Sequence, residues 1–192
     1  MRTKIGILIF PLFCILVSFT ALITDPGFTY LLLKDSPKES VPVTKELLAY
    51  FIYDLPDDKL PAVFNEDEKS HLKDVKALIR FIFLLHFLSV PALLACSYGE
   101  SHSEVFKRVK KIVKKGSLLL LMLIAILSLI PFQTLFTHFH YLFFPQGNWM
   151  FPADSTLITF YPKVFFLKYA VAIAVNAVAI AGAAVAAVTH PK

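Results

Sequence analysis

Four stretches of the chain are apolar over about 20 residues, the length at which an α-helix crosses a bilayer core of roughly 30 Å. They run over about residues 5–23, 75–97, 117–136 and 164–188. The segments between them are 24–74, 98–116 and 137–163. This pattern predicts an all-α integral membrane protein. Four transmembrane helices carry a small extracellular cap built from the two outer loops, and residues 1–192 form a single membrane domain. The first apolar run exceeds the roughly 7–15 residues of a signal-peptide core, so a retained anchor is expected rather than a cleaved leader.

Charge sets the direction of the crossings. Segment 98–116 holds Lys107, Arg108, Lys110, Lys111, Lys114 and Lys115 against only Glu100 and Glu104, and Arg2 and Lys4 precede the first crossing. The positive-inside rule places both in the cytoplasm. Segment 24–74 carries eleven acids and six lysines and faces outward with 137–163, so both termini are expected inside. Val105, Phe106, Val109, Ile112 and Val113 recur at helical spacing in the basic segment, which suits an amphipathic helix on the inner leaflet as well as a plain topology signal. The net charge of +5 therefore reads as membrane topology, not nucleic-acid binding. Composition agrees: 57% of residues are hydrophobic and 17% charged, against about 25% charged in soluble domains. Cys14 is expected at mid-membrane and Cys96 near the inner face, too far apart in depth for a disulfide.

The first outer segment is long enough to be partly ordered. Residues 28–33 read as a short strand, and Thr44 as the cap of a short helix with Leu47, Leu48, Phe51 and Ile52 on one side. Pro56 and Pro61 bracket a turn. Asn65 followed by Glu68 is a variant capping box, so a helix starts at Asn65 and continues unbroken into the second crossing. In the second outer segment Phe136, Phe139, Tyr141, Phe143, Phe144, Trp149 and Phe151 fall within sixteen residues. Part of that density is an interfacial belt; the rest suggests an enclosed apolar chamber.

Topology brings polar groups together at the outer surface. His71 and Asp74 share a helix face at a spacing of three, so Asp74 can orient the imidazole. His138 and His140 follow the third crossing; two apart on a helix they point to nearly opposite sides, and only one of them can face His71. Imidazoles titrate near neutral pH and can divide a base role and an acid role; ordinary interfacial histidines are the competing reading. His86 lies about 22 Å further along the helix from His71 and is too deep to join. Arg80 either snorkels outward or meets a substrate carbonyl. No phosphate loop, nucleophile elbow or zinc helix is present. No metal or cofactor is expected.

Residues Glu68-Lys69-Ser70-His71-Leu72-Lys73-Asp74-Val75 resemble the Glu-x-x-His-Leu-x-Asp-Val signature of the lipoprotein intramolecular transacylase (Lit) family. Phe139-His140-Tyr141-Leu142-Phe143-Phe144, then Gly147-Asn148-Trp149-Met150-Phe151, resemble its second block, which Asp154-Ser155-Thr156-Leu157-Ile158, Tyr161-Pro162 and Phe165-Phe166 continue. The resemblance implies a bacterial cytoplasmic-membrane enzyme with its active site at the extracellular face and two catalytic histidines, His71 and His140. It implies transfer of the sn-2 acyl chain of a diacylglyceryl lipoprotein to the α-amine of its N-terminal cysteine, giving the lyso-form. On that reading Asp74 orients His71, while Tyr141, Phe144, Trp149 and Arg80 contact substrate. Backbone amides near Gly147 and Asn148 are candidates for the oxyanion. The partners are the lipoprotein and membrane lipids. A non-catalytic assembly or sensory protein whose cap binds another chain is the alternative class.

Overall fold

Every regular element of the computed structural model, which describes residues 1–190, is helical. The helices are α1 (Arg2–Ile23), α2 (Pro26–Leu32), α3 (Ser40–Ile52), α4 (Glu66–Ser97), α5 (His102–Ser128), α6 (Phe132–Phe143), α7 (Thr156–Phe160) and α8 (Lys163–Thr189), with a single 3-10 turn at Asp57–Lys59. By length and apolarity α1, α4 and α8 can each cross a membrane, and α5 with α6 make a fourth crossing if that bent pair is one span.

The chain divides into two compact units. The first comprises Met1–Thr20, Phe83–Ile130 and Ala172–Lys192. Its core is Phe10 and Cys14 of α1, Cys96 of α4, Ile112, Val113 and Leu120 of α5, and Ala177 and Ala181 of α8. Large apolar side chains also face outward here: Leu8, Phe87, Leu94, Leu118, Met122 and Val175 are all more than half exposed. A water-soluble bundle would bury such groups, whereas helices bathed in lipid present them to acyl chains. Packing between such helices relies on small residues that let backbones approach. A Cβ on Gly116 would lie 2.8 Å from both Cβ and Cδ1 of Phe10. The Ser18 hydroxyl donates to the Ile173 carbonyl at 2.9 Å, giving a polar tie between α1 and α8. His86 shares a 3.0 Å hydrogen bond with Thr20 and meets the edge of Phe13, so this deep histidine is engaged within its own bundle.

The second unit comprises Ala21–Ile82 and Pro131–Val171 and holds most of the two segments predicted to form the cap. Residues 28–33 are not a strand: they lie almost wholly in α2. Asp25 accepts the Phe28 N–H and Pro26 opens the first turn, so local capping outweighs the β-preference of Phe, Thr and Tyr. Thr44 is likewise not a cap. It sits inside α3, donates to the Ser40 carbonyl at 2.6 Å and meets the Tyr161 hydroxyl at 2.7 Å. Helix α3 ends with Asp54 in the left-handed region (φ 53°) and the Leu55 N–H returning to the Tyr50 carbonyl. The expected third crossing over 117–136 is interrupted. Helix α5 begins at His102, so the basic segment is its first turns, and it stops at Ser128; Pro131 then opens α6.

The start of α4 is a full capping box. The Asn65 side-chain oxygen accepts the Glu68 N–H, and a Glu68 carboxylate oxygen accepts the Asn65 N–H, both at 2.9 Å. The other oxygen of buried Glu68 accepts the Leu157 N–H of α7 at 2.8 Å.

Two stability outcomes follow. Gly116→Val overpacks α1 against α5, which costs about 1–3 kcal/mol and lowers the thermal unfolding midpoint in detergent; Gly182→Ala does not lower it, because nothing lies within 4 Å of the added methyl. Equal midpoints for both would disprove the close approach. Glu68→Ala strands two backbone donors at about 1–3 kcal/mol each, so it unfolds at lower temperature than Glu68→Gln, which retains one acceptor oxygen.

Candidate active site

His71 lies on the second turn of α4, on the face that also carries Glu68. His140 lies near the end of α6, whose short run after Pro131 turns that residue inward and His138 outward. The two rings stack with centroids 6.1 Å apart and planes 24° from parallel. Both residues are more than nine-tenths buried. His138 is exposed and bonds the Thr134 carbonyl one turn back. Of the two histidines on α6, His140 is therefore the one that meets His71.

Aromatic rings wall the pair. Phe144 and Phe151 present edges to His71 at 4.7 and 5.7 Å. Trp149 and Phe136 cover His140 at 4.8 and 4.2 Å. Tyr141 reaches the pair only through Trp149, at 5.3 Å, and is largely exposed. The Trp149 indole N–H is buried without a hydrogen-bond partner among the described residues.

Hydrogen bonds define the state of His140. Its Nδ1 lies 2.7 Å from the Phe136 carbonyl. A carbonyl only accepts, so Nδ1 carries the proton and Nε2 keeps the lone pair. Both histidines lie beyond the apolar runs 75–97 and 117–136 that the sequence predicts to cross, and burial acts on both in the same sense. Loss of solvent pushes the His71 pKa down to about 4, reinforced by its imidazole neighbour and opposed by Asp74 and Asn148. Desolvation also lowers His140, opposed by its backbone hydrogen bond. The resting pair is thus neutral at pH 7.

Asp74 does not orient His71 by a direct bond. One of its carboxylate oxygens accepts from the Gln146 and Asn148 side-chain amides, each at 2.6 Å. Its influence on His71 travels through Asn148 and through its charge. Arg80 is engaged elsewhere. It pairs with Asp54 at 3.2 Å, beside Lys76, which meets the same carboxylate at 3.1 Å. Those ion pairs tie the end of α3 to α4. The Gly147 amide is already committed to the Phe144 carbonyl, in a turn that needs the positive φ of 79°, so it is not free for an oxyanion. Among the described residues no group of three or more His, Cys, Asp or Glu is placed to hold a metal ion.

Sequence reasoning misses the side-chain contacts of three residues. Glu68 is visible as a capping residue, but its reach to α7 is a tertiary contact with no local signature. Gln146 and Asn148 occupy a stretch without regular structure, where spacing carries no directional information.

Comparison with known proteins adds to this geometry. The family model described as lipoprotein intramolecular transacylase Lit matches residues 4–166. No curated protein matches the chain significantly. Among solved structures, the membrane-integral lipoprotein intramolecular transacylase Lit from Bacillus cereus superposes with a TM-score of 0.77 at 19% identity, covering 95% of this chain and 90% of that one. A histidine-to-arginine variant of the Bacillus cereus protein gives a TM-score of 0.75 at 19% identity, covering 98% and 89%. At that identity the structures show a shared fold, while the sequence model spans most of the chain. The protein belongs to the lipoprotein intramolecular transacylase (Lit) family.

Proposed function

We propose that the protein transfers the sn-2 acyl chain of a diacylglyceryl-modified lipoprotein to the α-amine of that lipoprotein's own N-terminal cysteine, leaving the lyso-form. The observation that carries this reading is the buried, stacked pair of His71 and His140 in a chain of this family. The positive-inside distribution of charge supports an active site on the extracellular face of a bacterial cytoplasmic membrane.

Proton accounting favours two imidazoles that both begin neutral. An α-amino group with a pKa of about 7.7–8.0 arrives mostly as the ammonium. It must lose one proton to attack the ester carbonyl and a second as the amide forms. The glycerol oxygen must gain one as its bond to the acyl carbon breaks. One imidazole takes the first proton and, now charged, returns it to the leaving oxygen. The other takes the second and releases it to solvent. The new N–C bond forms as the C–O bond breaks, and one proton leaves overall. Attack closes a ring of about eight atoms, so holding the folded conformer supplies much of the acceleration. The aromatic wall keeps out the water that would hydrolyse the same ester.

Expression beside a diacylglyceryl lipoprotein in a host lacking the activity, followed by mass spectrometry of the acyl positions, tests the reading. An unchanged sn-2 ester defeats it. His71→Ala and His140→Ala each lower turnover by about 10²–10⁴, and the same change at His138 or His86 has a smaller effect.

Burial of neutral imidazole also predicts a pH signature. His71 has a folded pKa of about 4, depressed from 6.5, so between those values the unfolded chain binds more protons. Stability therefore rises with pH across that window and is lost as pH falls through it. The thermal midpoint of His71→Gln should depend less on pH between 4 and 6.5 than that of the wild type; parallel curves would refute a neutral buried ring.

A further inference from the structure

Two complementary polar atoms are buried beside the histidine pair without a hydrogen-bond partner among the described residues: Nδ1 of His71 and Oδ1 of Asn148. The orientation of the Asn148 amide is determined by its other end. Nδ2 donates to an Asp74 carboxylate oxygen at 2.6 Å and lies 3.4 Å from the Ser70 hydroxyl. A carboxylate accepts and never donates, so the amide nitrogen must face Asp74. The same Asp74 oxygen is held by Gln146 at 2.6 Å, which anchors it from a second side. The amide oxygen is thereby turned away from Asp74. The Asn148 side chain also lies close enough to His71 to raise its pKa, against the larger lowering by burial.

We propose that Asn148 is the positioning residue of His71: its amide, oriented by Asp74, presents Oδ1 to Nδ1, keeps the proton on that nitrogen and leaves Nε2 bare for proton transfer. An amide oxygen can only accept, so the facing ring nitrogen must be the protonated one. The Phe136 carbonyl imposes the same tautomer on His140. Both rings then offer Nε2 as the working base, as two proton acceptors serving one amine require. That last step rests on the acyl-transfer reading; the tautomer itself does not.

The test uses the full-length protein with 15N-labelled histidine in nanodiscs, with two-bond proton–nitrogen spectra assigned by His71→Gln. The wild type at pH 7 should show His71 protonated at Nδ1. Asn148→Leu should mix the two tautomers and lower kcat by about 10–100-fold with little change in KM, as loss of a ring-orienting partner does. An Nδ1-bare His71 in the wild type, or a tautomer indifferent to Asn148→Leu, overturns the proposal. Either result leaves the acyl-position assay to judge the enzymatic reading separately. Conversely, the expected spectra with no acyl transfer would sink that reading and not this one.

Discussion

Two imidazoles with centroids 6.1 Å apart, both buried against phenyl and indole rings, cannot both carry charge at rest. Each would lose its hydration, and the two like charges would repel in a medium that screens poorly. Neutrality is the constraint around which the neighbouring polar groups are arranged. The Phe136 carbonyl occupies one nitrogen of His140 without demanding a charge. Asp74, the nearby anion that could have drawn a proton onto His71, commits one oxygen to two amide donors instead. The carboxylate stays close enough to raise the His71 pKa, yet burial outweighs it.

The same constraint explains why backbone geometry near the pair is so heavily tied down. His71 lies one helical turn beyond Glu68, whose two oxygens hold the Asn65 and Leu157 amides. A shift in the first turn of α4 would therefore move the ring and the α7 contact together. His140 is placed by a short helix with its own Pro131 start, and a continuous third crossing would have set its direction from α5 instead.

What is legible in the sequence is what depends on local rules. The apolar runs, the Asn65–Glu68 cap, and the opposite directions of His138 and His140 all follow from helix geometry and length. So does the alignment of His71 with Asp74 on one face. The departures share a cause. Residues 28–33 have β-preferring side chains, but Asp25 and Pro26 start a helix there, and seven residues suffice for it within the cap. Thr44 can cap a helix, yet α3 begins four residues earlier and the hydroxyl bridges to Tyr161. Membrane depth is all that spacing reveals about Arg80; that Asp54 sits opposite it is a tertiary fact. For Asp74 the nearest histidine in sequence is the obvious partner, while the residues that bind it come from more than seventy positions away.

The surroundings of the pair also argue for the kind of chemistry it suits. Neither imidazole has a Ser, Thr or Cys side chain as a hydrogen-bond partner among the described residues, which is not the arrangement of a hydrolytic triad. Ser70, the hydroxyl closest along the helix, faces the Asn148 amide. Both cysteines belong to the apolar core of the other unit. A pair of bases without a nucleophile is useful when the attacking atom arrives with the substrate. An intramolecular acyl shift is such a case, because the amine and the ester share one molecule and the protein has only to fold them together and move protons. The aromatic wall then has a second consequence. It lowers the local availability of water, the one competitor for the ester that an acid–base pair would activate just as readily as an amine. Exclusion of water and neutrality of the histidines are therefore one property of the site, since the packing that removes solvent from the pair is the packing that lowers the pKa values of both imidazoles.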